Sequence, residues 1–181
     1  MKITVLLTAF LLAVSSCFSQ EISEKNLRKH VAYLASDKLE GRGTGTAAER
    51  KAAEYIAKQF KKAGLSPKGD NNTWYHAFGF KKPTDPHGGS SENAPQIYSR
   101  NVVGYIDNGA ATTIIIGAHY DHLGLGHDHN SLEANSEGKI HNGADDNASG
   151  TSGVIELARY FSKNGVKEQH NFLFICFSGE E

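Results

Sequence analysis

Two uncharged apolar runs, residues 112–118 and Asn171–Phe177, stand on either side of an amphipathic stretch at residues 154–161. The first run is rich in β-branched residues and the second is almost wholly apolar, so both read as strands, while the stretch between them has helical spacing. A strand, a crossover helix and a parallel strand make a βαβ unit, whose right-handed connection leaves the carboxyl ends of both strands at one edge of a sheet. His119-Tyr120-Asp121 follows the first run, Glu180-Glu181 closes the segment after the second, and Asp145-Asp146 lies in a Gly-rich stretch between them. Three clusters of potential metal ligands are therefore expected to meet at one rim.

A chain of 181 residues with 39% apolar side chains and a net charge of -1 describes one globular domain, and it offers no basic patch for a nucleic acid. Lys2, an apolar core at residues 3–14 and small residues up to Ser19 have the layout of a secretory signal peptide, 1–19, too short to span a bilayer as a helix. Cys17-Phe18-Ser19 fits ordinary cleavage before Gln20, the favoured reading. Val14-Ser15-Ser16-Cys17 also fits a bacterial lipoprotein box, which would leave a lipid anchor at Cys17. Either route implies export, to the periplasm or outside the cell, and ordinary cleavage leaves residues 20–181 as the mature part. Cys176 then has no disulfide partner, and its place inside an apolar run marks a small buried side chain rather than a nucleophile.

Residues 22–39 carry Leu27, Val31 and Leu34 at helical spacing before Gly41-Arg42-Gly43 interrupts them. Thr46 and Glu49 form a capping box for a second helix, with Ala53, Ile56, Ala57 and Phe60 on one face and Gly64 at its end. Residues 81–96 read as an exposed loop. Residues 101–106 and 112–118 are expected to pair across Asp107-Asn108-Gly109 as an antiparallel hairpin, which makes the sheet mixed. From His122 to Ser149 apolar periodicity almost vanishes, and five of the nine histidines fall between residues 119 and 141, so this long loop is a functional candidate. Trp74, Tyr75, Phe78 and Phe80 stay unassigned between core and substrate pocket. The chain stops at Glu181 directly after a buried strand, which reads as truncation at the C-terminus.

Each cluster alone has a bland alternative: a solvated histidine, an Asx turn leading into a helix, the solvated end of a strand. Their common placement gives them chemical meaning. Residues two apart on a strand point to the same side, so Asp121 can accept the second ring N–H of His119 and fix its tautomer. One of the paired carboxylates Glu180 and Glu181 can hold metal while the other moves protons.

Four stretches, LASDKLEGRGTGT, GAHYDHLG, HNGADDNASG and FICFSGEE, resemble the secreted zinc aminopeptidase family of aminopeptidase S and aminopeptidase Y, distant relatives of the glutamate carboxypeptidases. The expected fold is α/β, a three-layer αβα sandwich around a mixed, mainly parallel twisted sheet. The resemblance implies two zinc ions per complete site, with His119 on one, Asp145 bridging both and Glu181 on the other. It further implies Glu180 as general base, Asp121 as the catalytic partner behind His119, and a cis peptide between Asp145 and Asp146. The substrates would be peptides with a free N-terminus. That family draws a further Asp and a final His from later in its chain, so these 181 residues alone are expected to bind zinc weakly and turn over little.

Two other readings stay open. Glutaminyl cyclases of the same superfamily share the HYD and GEE landmarks but use a single zinc for an intramolecular acyl transfer; the Asp145-Asp146-Asn147 run favours the two-metal peptidase. A non-catalytic domain that keeps the fold is the third.

Overall fold

The structure, a computed structural model, describes residues 21–81, 92–127 and 130–181. The expected signal peptide, the lipid-anchor position Cys17, His129 and most of the expected 81–96 loop lie outside them.

Ser23 caps helix α1 (Glu24–Leu34) by accepting the Asn26 N–H at 3.2 Å, and His30 and Leu34 face inward. The helix ends five residues earlier than its apolar spacing predicts. A tight helical turn, Asp37–Arg42, takes over, with Glu40, Gly41 and Arg42 all at positive φ. Within that turn a Cβ on Gly41 would lie 2.4 Å from the Gly124 carbonyl oxygen. Only a glycine lets the backbones cross this closely. Helix α2 (Ala47–Ala63) follows the expected frame: Thr46 accepts the Glu49 N–H at 3.1 Å, and Gly64 ends the helix in the left-handed conformation. The capping box is shifted by one residue, since the Glu49 carboxylate accepts the N–H of Gly45 rather than that of Thr46.

Among the described residues five strands form one sheet: β1 (Ser66–Pro67), β2 (Tyr75–Lys81), β3 (Gln96–Ile106), β4 (Thr113–His119) and β5 (Asn171–Phe177). The order is β1-β3-β5-β4, with β2 also paired to β3. Helix α3 (Gly150–Lys163) crosses between β4 and β5, which are parallel, as the βαβ reading requires. The α/β class with a mixed sheet is as expected, but three details differ. The hairpin does not form, because β5 inserts between β3 and β4 and is antiparallel to β3. β5 is the most apolar strand, and the central position buries its Phe172, Phe174 and Cys176 against Phe60, Val154, Ile155 and Ala158 of the helices. Burying each such large apolar side chain is worth about 1.5–3 kcal/mol, more than a local turn can offset. Parallel pairing is confined to β4 with β5, the other three pairings being antiparallel. Among the described residues the helices cover one face of the sheet; on the other, Ile115 is 63% exposed and Phe177 40%.

Strand β2 was not anticipated. His76, Gly79 and Lys81 break its apolar alternation, and pairing with β3 from Tyr75↔Val102 to Lys81↔Gln96 supplies the order instead. Cys176 is fully buried, and burial alone pushes its thiol pKa up, in keeping with a structural role.

Candidate metal centre

Parallel register sets the site. His119, the last residue of β4, lies opposite Phe177, the last of β5, and the Tyr120 N–H extends the ladder to the Phe177 carbonyl at 2.8 Å. Asp121 and the turn of residues 178–181 therefore leave the sheet side by side.

Asp121 is fully buried. Its Oδ2 accepts the Thr44 hydroxyl at 2.7 Å and the backbone N–H groups of Gly179 at 2.9 Å and Glu180 at 3.1 Å, with that of Glu181 at 3.4 Å. One carboxylate thus shapes the turn that carries both glutamates. Its Oδ1 lies 3.7 Å from Nδ1 of His119, and among the described residues neither of these two buried atoms has a hydrogen-bond partner. A closure of a few tenths of an ångström would join them.

The opposite ring nitrogen, Nε2 of His119, points into the cluster, 2.9 Å from Asp146 Oδ1 and 3.7 Å from Glu180 Oε2. One ligand atom each from His119, Asp146 and Glu181 lie within 4.8 Å of one another. An imidazole and two carboxylates are a donor set suited to zinc. The unpartnered Nδ1 facing a buried carboxylate is the outer support that metal-ligating histidines use. These residues fit a metal ion.

Asp145 does not join this set. Asp146 has an extended backbone (φ -109°, ψ 103°) inside this irregular turn, and the main-chain carbonyl of Asp145 accepts the Ser149 hydroxyl at 2.6 Å. The cis peptide likewise falls one bond later than expected, between Asp146 and Asn147. Sequence alone could not choose between two adjacent aspartates in an irregular turn.

The paired glutamates are differently placed. The Glu180 side chain is 60% exposed at the rim, whereas that of Glu181 is 17% exposed and is 2.9 Å from His122 Nδ1. His122, which the sequence places only at the start of the long loop, therefore touches the centre. His127 stays outside it, 3.7 Å from the exposed Glu137. A Cβ on Gly179 (φ +78°) would touch the Phe78 ring at 3.3 Å, so the β2 aromatics pack against the turn bearing Glu180.

Two buried ionic residues that the sequence reading passed over form the scaffold. Glu49 accepts the hydroxyls of Ser99, Tyr120 and Ser178 and the Gly45 N–H, joining α2, β3 and both strand ends. Burial, then the Glu49 charge, raise the Tyr120 pKa, which keeps the phenol a neutral donor. Arg42, fully buried, donates Nε–H to the Tyr120 carbonyl at 2.7 Å, Nη1–H to the carbonyls of Leu34 and Asn142, and Nη2–H to that of Gly143 at 2.9 Å. Burial lowers its pKa to about 10 while the nearby charges of Asp121, Asp146 and Glu181 act the other way, so it stays cationic at neutral pH. A charged residue between two glycines in GRG was the available signal.

Residues 101–181 match the profile of Peptidase family M28. No curated protein gives a significant match. Similar folds include a glutaminyl cyclase from Fimbriiglobus ruber (TM-score 0.67, 20% identity, 90% of this chain and 47% of that one). A leucine aminopeptidase precursor from Bacteroides thetaiotaomicron has a TM-score of 0.62 at 15% identity, covering 87% of this chain and 47% of that one. A Zn-dependent exopeptidase from Parabacteroides distasonis has a TM-score of 0.60 at 17% identity, covering 88% and 47%. The chain spans about half the length of these structures, and at such identities the likeness is one of fold. The β4–α3–β5 unit and the His119 cluster lie inside the segment that matches the peptidase profile.

Proposed function

We propose that this chain carries the metal centre of a zinc-dependent aminopeptidase, which removes residues from the free N-termini of peptides. The convergence of His119, Asp146 and Glu181 within 4.8 Å, backed by a buried Asp121 behind the imidazole, carries this reading. The peptidase profile over residues 101–181 supports it independently.

In this proposal His119, Asp146 and Glu181 hold zinc, which when bound supplies Lewis acidity and makes water nucleophilic at neutral pH. Asp121 keeps the proton of His119 on Nδ1 and presents Nε2 to the ion. Glu180, exposed at the rim, takes the proton of the attacking water and returns it to the leaving amine. Glu181, enclosed beside His122, keeps its carboxylate for coordination. A second ion, expected from the sequence resemblance, remains part of the proposal. Asp145 would not be its bridge, since the geometry favours Asp146.

One observation favours the cyclase alternative: the described residues bring together a single three-ligand set, which suits one ion. Zinc counting by plasma emission, beside assays with a leucine anilide and with a peptide bearing N-terminal glutamine, separates the two. Chelator-sensitive anilide hydrolysis supports the aminopeptidase; cyclisation of the glutamine peptide without anilide hydrolysis overturns it. Export, by signal peptide or lipid anchor, belongs to the same proposal; among the described residues no helix is long and apolar enough to cross a membrane.

A further inference from the structure

Arg42 has no carboxylate bonded to it among the described residues; all four of its hydrogen bonds end on backbone carbonyls. Those carbonyls belong to three segments that must converge to build the metal centre. Leu34 ends α1, Tyr120 sits between His119 and Asp121, and Asn142 with Gly143 leads into the turn that presents Asp146. A planar guanidinium has five N–H donors in a fixed fork, whereas a lysine ammonium has three on a flexible stem, so arginine suits this junction.

The backbone around Arg42 is fitted to the task. Arg42 itself has φ +53° and its neighbour Glu40 φ +43°, conformations that non-glycine residues adopt only where the surroundings impose them. The surroundings do so: the Arg42 carbonyl accepts the His122 N–H at 3.3 Å, and that of Gly41 accepts the Gly124 N–H at 3.1 Å. The turn is laced along the segment that follows His119, with the arginine aimed beneath it.

We infer that Arg42 is a positioning residue for the proposed zinc site: by tying the Tyr120 carbonyl to those of Asn142 and Gly143 it fixes His119 against Asp146 before the ion arrives. Its buried cation also offsets the mutual repulsion of Asp121, Asp146 and Glu181, which the centre would otherwise hold together unaided. The inference rests on the metal-site reading above, and its claim about the turn can be tested without zinc.

The experiment uses the whole chain, stripped of metal, as wild type, Arg42→Lys, Arg42→Met and Ile56→Ala. Ile56 is fully buried in α2 and serves as a control for simple destabilisation. Zinc affinity is read by chelator competition, and amide exchange is followed over residues 142–149 with and without zinc. The arginine variants are expected to lose about 10- to 100-fold in zinc affinity, as expected for removing support from metal ligands. Ile56→Ala should keep wild-type affinity at a comparable loss of thermal midpoint. Metal-free wild type should already protect the turn, including the Ala148 N–H bonded to Gly143 at 3.1 Å, and Arg42→Lys should speed its exchange. Equal affinity losses in Ile56→Ala and the arginine variants overturn the inference. So does a wild-type turn protected only once zinc is bound. Should Arg42→Met fail to fold, the lysine variant and the wild-type exchange decide. Wild type that binds no zinc refutes the metal-site reading, while unchanged exchange in Arg42→Lys refutes the clamp.

Discussion

Strands β4 and β5 have two ends, and the protein finishes them in opposite ways. At the amino end Asn171, nearly buried, accepts the N–H groups of Asn108 and Ala110 at 2.9 and 3.1 Å and donates to the Ala110 carbonyl at 2.9 Å. Asn108 in turn donates to the His170 carbonyl. These are neutral groups with their hydrogen bonds made. At the carboxyl end the chain buries Arg42, Glu49 and Asp121 and, among the described residues, leaves His119 Nδ1 and Asp121 Oδ1 without hydrogen-bond partners. Ending a pair of strands requires none of this, as the other end demonstrates. Buried charge is costly unless compensated, so its concentration at one end points to chemistry rather than folding.

The contrast can be broken by substitution at each end. The largest effect is expected from Glu180→Gln in the full-length enzyme, where it should lower turnover by about 10²- to 10⁴-fold while leaving zinc content intact; parallel metal analysis and kinetics check both halves, and lost zinc would move Glu180 into the ligand set. Asp121→Asn should weaken zinc by about 10- to 100-fold, measured by chelator competition. Asn171→Ala, at the neutral end, should cost about 1–3 kcal/mol in urea unfolding through the stranded amides of Asn108 and Ala110, with zinc affinity unchanged. If Asn171→Ala weakened zinc as much as Asp121→Asn, the functional distinction between the ends would disappear.

The smallest effect lies away from both ends. Burial lowers the pKa of His30 below 6.5, with Lys29, Lys62 and Arg159 adding to the shift and Glu156 opposing it; the Tyr55 hydroxyl sits 2.7 Å from its Nδ1. The unfolded chain therefore takes up the proton before the folded one. Stability from this group is present above pH 6.5 and is lost as pH falls from there towards the folded pKa, at no more than about 1.4 kcal/mol per pH unit. His30→Gln should flatten that part of the unfolding profile, and an unchanged slope would assign the acid sensitivity elsewhere.

Much of the frame was legible because it follows from periodicity and caps. The βαβ unit, the Thr46-to-Gly64 helix and the bounds of β5 needed only local pattern. What escaped was decided by partners distant in the chain. The order of β3, β5 and β4 depends on where an apolar strand finds most burial, which a convincing turn sequence at residues 107–109 conceals. The grouping of Asp146, rather than Asp145, with His119 and Glu181 depends on the local path of one irregular turn. Glu49 looks like a surface charge in a linear reading, because nothing adjacent in sequence reveals that hydroxyls will surround it, and the glycines on either side of Arg42 mark an unusual turn without showing which carbonyls it will meet.

Glu49 has a practical consequence for anyone stabilising this protein. A buried acid with no cation bonded to it among the described residues is a natural target for replacement by a hydrophobe, and a screen scored on melting temperature alone could favour that change. Yet its carboxylate gathers hydroxyls from β3 and from both segments that lead to the ligands. Engineers should treat this helical glutamate as belonging to the framework of the candidate metal centre and judge any replacement by metal retention as well as heat tolerance.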